Sequence, residues 1–340
     1  MTMRVGVVLV NWKGWADSIE CVESLLRQTD DRFQVFLVDN ASPDASAQKI
    51  AAYFEGRSDH APARLAEIDH AARRLDPALA HVGVGLAPRP LPGARLVLIE
   101  AGANLGFAGG NTVGASWALA QPGVEIVWFL NNDTVADTRA IAALIAGFEA
   151  EPAVGMAGGM VRYYHRPDIL QARNGARVTG STAESARFGD GERFDAPFDA
   201  AAVARETDFV MGACLAVTRV FYDQIGPMQE DYFLYFEELD WAERARGRFR
   251  IGFFPALVVF HKEGGSIGSS GDHRKRSVLS DYYMTRSRLM FLRRHRPGAV
   301  AAGVVASLLK AVRRLARRQP AKAMAQLRGL RDGLRVPIGR

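Results

Sequence analysis

The chain has 340 residues, 48% hydrophobic and 24% charged, with a mean hydropathy of −0.05, as in an ordinary globular protein of one or two domains. Its two cysteines, Cys21 and Cys214, exclude a disulfide framework, have no metal-ligand spacing and sit among apolar residues, so they read as buried thiols in a reducing compartment. The net charge of +6 is uneven: residues 282–340 carry fifteen Lys and Arg against one acid, Asp332, whereas the preceding 281 residues are net −8, a pattern that points the tail toward an anionic surface, membrane or nucleic acid.

Residues 5–10 form a continuous apolar, β-branched run, as expected of a strand buried on both faces. This run is too short for a signal peptide, and no stretch reaches about 18 uninterrupted apolar residues. The expectation is a chain that neither leaves by that route nor crosses the bilayer. A helix follows at 16–28, a second strand at 35–38, a helix at 44–54, a third strand at 95–99, a helix at 107–120 and a fourth strand at 126–130. Another helix spans 137–150, with Asp137 as its cap. Strands alternating with helices predict a mostly parallel, layered α/β sheet. The segment 56–93, with five prolines and a short basic helical stretch at 71–74, is too long for an ordinary connection and reads as an excursion, a lid or a disordered loop. Beyond it, strands are expected at 154–164 and 208–217, a loop-like region at 175–204, a short helix at 239–248, strands at 251–254 and 257–260, and helices to the end.

In an open parallel sheet, ligands bind beyond the carboxyl ends of the strands. Four such ends carry Asn and Asp: Asn11-Trp12, Asp39-Asn40-Ala41-Ser42, the run from Asn104 through Gly106, Phe107, Gly109 and Gly110 to Asn111, and Asn131-Asn132-Asp133. Asp39 can accept from the imide N–H of a base, and the neighbouring Asn and Ser groups can hold a ribose. The glycines would let backbone approach a diphosphate at a helix start. Neither the dinucleotide fingerprint nor GxxxxGK[ST] is present, which disfavours hydride transfer and P-loop chemistry. Asp133 is the natural ligand for a hard cation bridging diphosphate oxygens, with Asn131 as a neutral oxygen or a ribose contact. His261 ends an apolar run beside the glycine-rich turn 264–265 and is a second candidate ligand. Glu237, Glu238 and Asp240 follow a run of aromatics, and carboxylates in such surroundings gain basicity suited to a general base.

Taken together, the segments VVLVNWKGWADSIECVESLL, VDNASPDAS, NLGFAGGN, FLNNDT, FVMGACLAVTR and YFLYFEELDWAERARGRFRIGFFPALVVFH resemble glycosyltransferase family 2, in its rhamnosyltransferase-like branch, across residues 4–296. The resemblance implies a GT-A fold, a nucleotide-binding mixed sheet flanked by helices, over 1–265. Its nucleotide-sugar half would be about 1–135 and its acceptor half about 136–265, with 266–340 a basic helical tail. It also implies inverting transfer from a dTDP- or UDP-sugar, with dTDP-rhamnose the expected donor, to a glycan or lipid-linked acceptor in cell-surface polysaccharide synthesis, assisted by Mn2+ or Mg2+. Carried over by position, Asp39 recognises the base, Asn131-Asn132-Asp133 stands for the DxD-type metal motif, His261 contacts the metal, and Glu238 is the base, with Glu237 and Asp240 as rivals. Asn in place of the first Asp and Glu in place of the usual Asp at 238 depart from the pattern. A non-catalytic sugar-nucleotide-binding or scaffold protein of the same fold is the alternative.

Residues 298–318 form a basic amphipathic stretch: Lys310, Arg313, Arg314, Arg317 and Arg318 share one face, and Ala301, Val304, Val305, Leu308, Leu309, Val312 and Leu315 the other. Such a helix either lies on an anionic membrane, peripheral at the cytoplasmic face, or packs its apolar side on the protein or a second copy. No nucleic-acid recognition motif accompanies the charge.

Overall fold

The computed structural model describes residues 3–61, 73–263 and 277–338. The turn at 264–265 and residues 71 and 72 of the basic stretch lie outside them. In chain order the first half contains β1 (Arg4–Asn11), α1 (Trp15–Leu25), β2 (Phe33–Asp39), α2 (Ser46–Phe54), β3 (Leu79–Val82), β4 (Leu96–Glu100), α3 (Gly106–Leu119), β5 (Val124–Leu130), β6 (Thr134–Ala136) and α4 (Ala140–Ala150). The second half contains β7 (Val154–Tyr163), β8 (Arg166–Arg173), β9 (Gly175–Thr179), β10 (Glu184–Arg187), α5 (Ala200–Glu206), β11 (Phe209–Val210), β12 (Cys214–Thr218), α6 (Arg219–Ile225), α7 (Glu237–Ala245) and β13 (Arg250–His261). Three helices follow: α8 (Val278–His295), α9 (Val300–Ala316) and α10 (Pro320–Arg335).

Among the described residues, nine strands run in the order β3-β4-β2-β1-β5-β12-β7-β13-β6, and β8 pairs with β7. The half from β3 to β5 is parallel. Beyond it β13 runs parallel to β7, but β12 runs antiparallel to both β5 and β7, and β6 antiparallel to β13, so the sheet is mixed, as expected of a GT-A fold. Period-two alternation divides the core between the two faces. Val5, Val7 and Leu9 join Ile19, Val22 and Leu144 on one side, while Val8, Phe36 and Val38 join Ala115, Trp117 and Trp241 on the other. Both faces are covered by helices, which is why these strands read as unbroken apolar runs.

Several sequence expectations need correction. The 56–93 excursion contributes an edge strand, β3, parallel to β4. Asp137 does not cap the helix directly. Its carboxylate accepts from Arg139 N, and the helix opens two residues beyond the expected start of its first turn, at Ala140. The expected strand 208–217 is broken at 211–213 into β11 and β12. The loop-like region holds β9 and β10, which with β11 form a small second sheet. The strands expected at 251–254 and 257–260 are one strand, β13, with a register shift between Phe253 and Val258.

Helix α8 packs on the loop 230–236, where Tyr232, Leu239, Leu289, Phe291 and Leu292 share a core. Much of the basic tail is tied to the body: Arg314 pairs with Asp281 at 2.8 Å, Arg288 with Glu184 at 2.5 Å, Lys310 with Glu184, and Arg294 with Asp231 at 2.7 Å. Among the described residues, no helix is long and apolar enough to cross a membrane.

Candidate active site

The register of the parallel strands brings their polar ends to one edge: Asn11 lies opposite Asp39, and Asp39 opposite Glu100. Asn11 Nδ2 donates to Asp39 Oδ1 at 2.7 Å and to Ser42 Oγ at 3.1 Å, while Ser42 N donates to Asp39 Oδ2 at 3.0 Å. Ser18 Oγ donates to Asn11 Oδ1, and Asn132 Nδ2 donates to Ser18 Oγ at 2.8 Å. Asn11, Asp39, Ser42 and Asn132 thus form one buried network that fixes the ends of β1, β2 and β5 to the start of α1. Asp39 keeps lone pairs beyond these bonds, since an ionised carboxylate accepts about four hydrogen bonds. Trp12 is half-buried in the following turn, where Lys13, at φ 61°, lies 4.4 Å from its ring centre.

The glycine-rich segment expected to approach a diphosphate is packed closely against the protein. Asn40 Nδ2 donates to Asn104 Oδ1 and to Gly106 O, and Leu105 N donates to Asn40 Oδ1, so this turn is stitched to the end of β2. The start of α3 is covered: Phe107 N donates to Phe233 O at 2.9 Å, and any Cβ on Gly106 would run into the Phe233 carbonyl and ring. Gly110 is needed because Val10 packs against it, and Gly109 because Leu105 does. Asn111 is buried and donates to Phe107 O within the helix. Close packing by itself requires these glycines.

The metal candidates do meet. His261 Nε2 lies 3.1 Å from Asp133 Oδ1 and 3.3 Å from Asn131 Nδ2, joining the end of β13 to the turn after β5. On the other side of the ring, Nδ1 lies 2.6 Å from Gln171 Oε1, a buried side chain on β8. An amide oxygen only accepts, so Nδ1 carries a proton toward Gln171, and Nε2 donates to Asp133 in the charged ring and accepts in the neutral one. In the neutral ring a carboxylate and an imidazole nitrogen stand side by side, a donor set that fits a divalent cation. Among the described residues no group of three or more His, Cys, Asp and Glu is arranged to hold a metal, so the protein offers this pair and neighbouring neutral oxygens. Cys21 lies beneath, its Sγ 3.6 Å from Thr134 Oγ1, and burial pushes its thiol up to about 12, leaving it inert.

The acids after the aromatic run have different surroundings. The preceding loop holds Phe233, Tyr235 and Phe236 at φ of 65°, 66° and 76°, a conformation costing about 1–3 kcal/mol each for bulky residues. Helix α8 secures it: Tyr283 stacks on Phe233 with centroids 5.0 Å apart, Tyr235 OH lies 2.8 Å from Ser280 Oγ, and Ser287 Oγ donates to Leu234 O. The loop delivers Glu237 and Glu238 to the first turn of α7. Burial raises the Glu238 carboxyl above its ordinary value, partly offset by hydrogen bonds from its own N–H and from Gly212 N–H. Burial and the neighbouring Glu238 raise Glu237 further, and its Oε1 has no partner among the described residues. Asp240 faces away, into a cluster with His295 Nε2 at 2.7 Å, Arg244 Nε at 2.9 Å and Tyr232 OH at 3.2 Å. Burial alone would raise its carboxyl, but the His295 hydrogen bond and Arg244 outweigh that and hold it below the carboxylate norm.

Two residues that sequence reasoning missed hold the candidates in place. Gln171 orients His261. Gly212 sits where a Cβ would overlap Glu238 Oε1 and come within 3.2 Å of Phe107 Cζ, so the absent side chain is the space that Glu238 occupies. The glycine interrupting the strand-like run VMGACLAV was the available signal. No sequence signal marks Gln171.

This sheet, with its polar strand ends and flanking helices, defines a GT-A glycosyltransferase fold. It resembles a crystal structure of GalNAc-T7 with UDP, GalNAc and Mn2+, with a TM-score of 0.55 and 13% identity, over 86% of this chain and 48% of that one. It also resembles the mannosyltransferase PcManGT of Pyrobaculum calidifontis in complex with GDP-Man and Mn2+, with a TM-score of 0.51 and 15% identity, over 98% of this chain and 88% of that one. The model of the glycosyltransferase-like family 2 matches residues 86–280, and that of glycosyl transferase family 2 matches 7–71; the chain belongs to glycosyltransferase family 2. The low-salt glycan biosynthesis hexosyltransferase Agl10 of Haloferax volcanii is 28% identical over 167 residues, 48% of this chain and 51% of that protein. The chain thus spans about half the length of this curated relative.

Proposed function

We propose that the protein is an inverting glycosyltransferase that moves a sugar from a nucleoside diphosphate to a hydroxyl of a glycan or lipid-linked acceptor in cell-surface polysaccharide synthesis. The expected donor is dTDP-rhamnose, from the branch of the family it resembles. The observation that carries the reading is the junction of β5 and β12. Asn131 N donates to Ala213 O, so the turn bearing Asp133 adjoins Gly212, against which Glu238 rests. A carboxylate–imidazole pair for a diphosphate and, on the first turn of α7, a carboxylate for a hydroxyl proton are therefore brought close together at the junction of β5 and β12.

In this reading the Asp39 network receives the base and ribose. Asp133 and His261, with Asn131, would hold a divalent cation, Mn2+ or Mg2+, which when bound offsets charge on the leaving diphosphate. The acceptor hydroxyl attacks the anomeric carbon from the face opposite the nucleotide. Its proton passes to the Glu238 carboxylate, whose raised basicity suits that transfer. The C–O bond to the diphosphate breaks as the new glycosidic bond forms, and configuration inverts. Asp240, held by His295 and Arg244, serves the fold; Glu237, buried and raised further, is neutral packing at the helix start.

Calorimetric titration with dTDP-rhamnose, UDP-galactofuranose, UDP-glucose and GDP-mannose, with and without Mn2+ or Mg2+, identifies the donor. Glu238→Gln is then expected to bind that donor within about threefold of wild type while turnover falls by about 10²-fold or more. Full turnover in that variant would remove Glu238 from the mechanism, and no binding of any sugar nucleotide would favour a scaffold.

A further inference from the structure

Helix α9 meets the rest of the protein along a narrow strip. Its buried residues are Gly303, Ser307, Ala311 and Arg314, spaced three and four apart on one face. At Gly303 the strip approaches Leu292 so closely that a side chain there would overlap it. Val300 and Val304, at the start of the helix, pack against the core of Tyr232 and Leu289, but Val305, Leu308, Leu309, Val312 and Leu315 point elsewhere and are 42–61% exposed. At 100° per residue they cover an arc of about 120°, nearly opposite the buried strip. Arg313 and Arg317, both exposed, border this arc on one side. No acidic residue occurs from Val300 to Arg331.

We propose that α9 is an interfacial anchor that lies on an anionic lipid surface, with its apolar arc among the acyl chains and Arg313 and Arg317 at the headgroup phosphates. The choice of occupant rests on charge. A second copy of α9 seated on this face offers no acid between Val300 and Arg331 to meet Arg313 and Arg317, so the charged border gains nothing from it. An anionic bilayer neutralises the same border, and an apolar arc this wide gains from burial among lipid chains. The cations facing inward are already engaged, Arg314 with Asp281 and Lys310 with Glu184, so the helix stays on the body while its outer face binds. The anchor lies on the membrane, since α9 has one apolar face.

The test reads binding by the full-length chain and is independent of sugar transfer. The protein is floated with phosphatidylcholine vesicles containing about one-third phosphatidylglycerol, and with pure phosphatidylcholine, while light scattering measures its mass. Expected is binding to the anionic vesicles at least about tenfold stronger than to neutral ones, weakening with salt. Leu308→Glu with Leu309→Glu, and separately Arg313→Gln with Arg317→Gln, should each weaken it by about tenfold or more at unchanged melting temperature. These positions are solvent-facing, so folding is not at stake. Wild-type protein that stays unbound with anionic vesicles overturns the proposal. So does a dimer that the leucine pair converts to monomer with flotation unchanged.

Discussion

Substituting Gly212 by alanine tests the placement of the base without touching it. A Cβ at this position overlaps Glu238 Oε1, lies 3.1 Å from Glu238 Cδ and 3.2 Å from Phe107 Cζ. An ordinary contact requires the carboxyl oxygen to retreat by roughly 1 Å. The obstructing atom is the end of a flexible side chain, so the fold should absorb the change at about 1 kcal/mol, at the low end of overpacking costs. Catalysis is less forgiving, because a misplacement of about 1 Å can cost about 10²-fold. The expected result is kcat down by about 10²-fold with donor affinity and melting temperature nearly unchanged, read by steady-state kinetics, donor calorimetry and thermal circular dichroism. A variant with kcat within about threefold of wild type would refute the argument that Glu238 works from this position.

Other perturbations separate the remaining roles. Since the Glu238 carboxyl is held above its ordinary 4.5, activity should fall as pH drops through that raised value; a pH–rate profile whose acid limb lies at or below 4.5 would oppose the assignment. Glu237, also raised, favours folding while protonated and opposes it as pH rises through its folded pKa. Glu237→Gln should therefore keep or gain stability, with the gain larger at pH 9 than at pH 6; a loss at both pH values in thermal melts would count against a neutral Glu237. Asp240 is lowered, so its contribution is complete above 3.8 and is lost as pH falls through its folded value. Asp240→Asn should cost about 3 kcal/mol at pH 7 by denaturant melts, at the low end for a buried ion pair, with the difference from wild type narrowing below 3.8, because it leaves the partly buried Arg244 and His295 without their anion. Gln171→Leu should weaken Mn2+ binding in the presence of UDP by about 10–100-fold in calorimetry; unchanged affinity would deny Gln171 a part in orienting His261.

What the sequence disclosed followed physical rules of unequal reach. Strands β1, β2, β4 and β5 were legible because burial on both faces writes a continuous apolar run, and their Asn and Asp ends marked the edge where His261 and Asp133 meet. Strands β3, β6 and β9 are short or mixed in polarity and wrote no such signal. The glycines of α3 are ambiguous in sequence, because close approach to Val10 or Phe233 demands the same residue that close approach to a phosphate does. Gln171 and His261 are ninety residues apart in the chain, and only the pairing of β8 and β13 with β7 brings them together. The amphipathic pattern of α9 was plain, but which side faced the body was not: a narrow strip of Gly303, Ser307, Ala311 and Arg314, with Val300 and Val304 at its start, does the packing that the wider apolar face was expected to do.

The hold of α8 on the 233–236 loop has a temporal consequence. A chain emerging from the ribosome completes every strand of the main sheet by His261, well before residues 278–295 exist. Until those residues arrive, the three bulky aromatics lack the Tyr283, Ser280 and Ser287 contacts that secure their left-handed backbone, and the start of α7 lacks that support. The part of the protein suited to a nucleotide can therefore assemble first, while the carboxylate suited to an acceptor gains its full support only after residues 278–295 have followed.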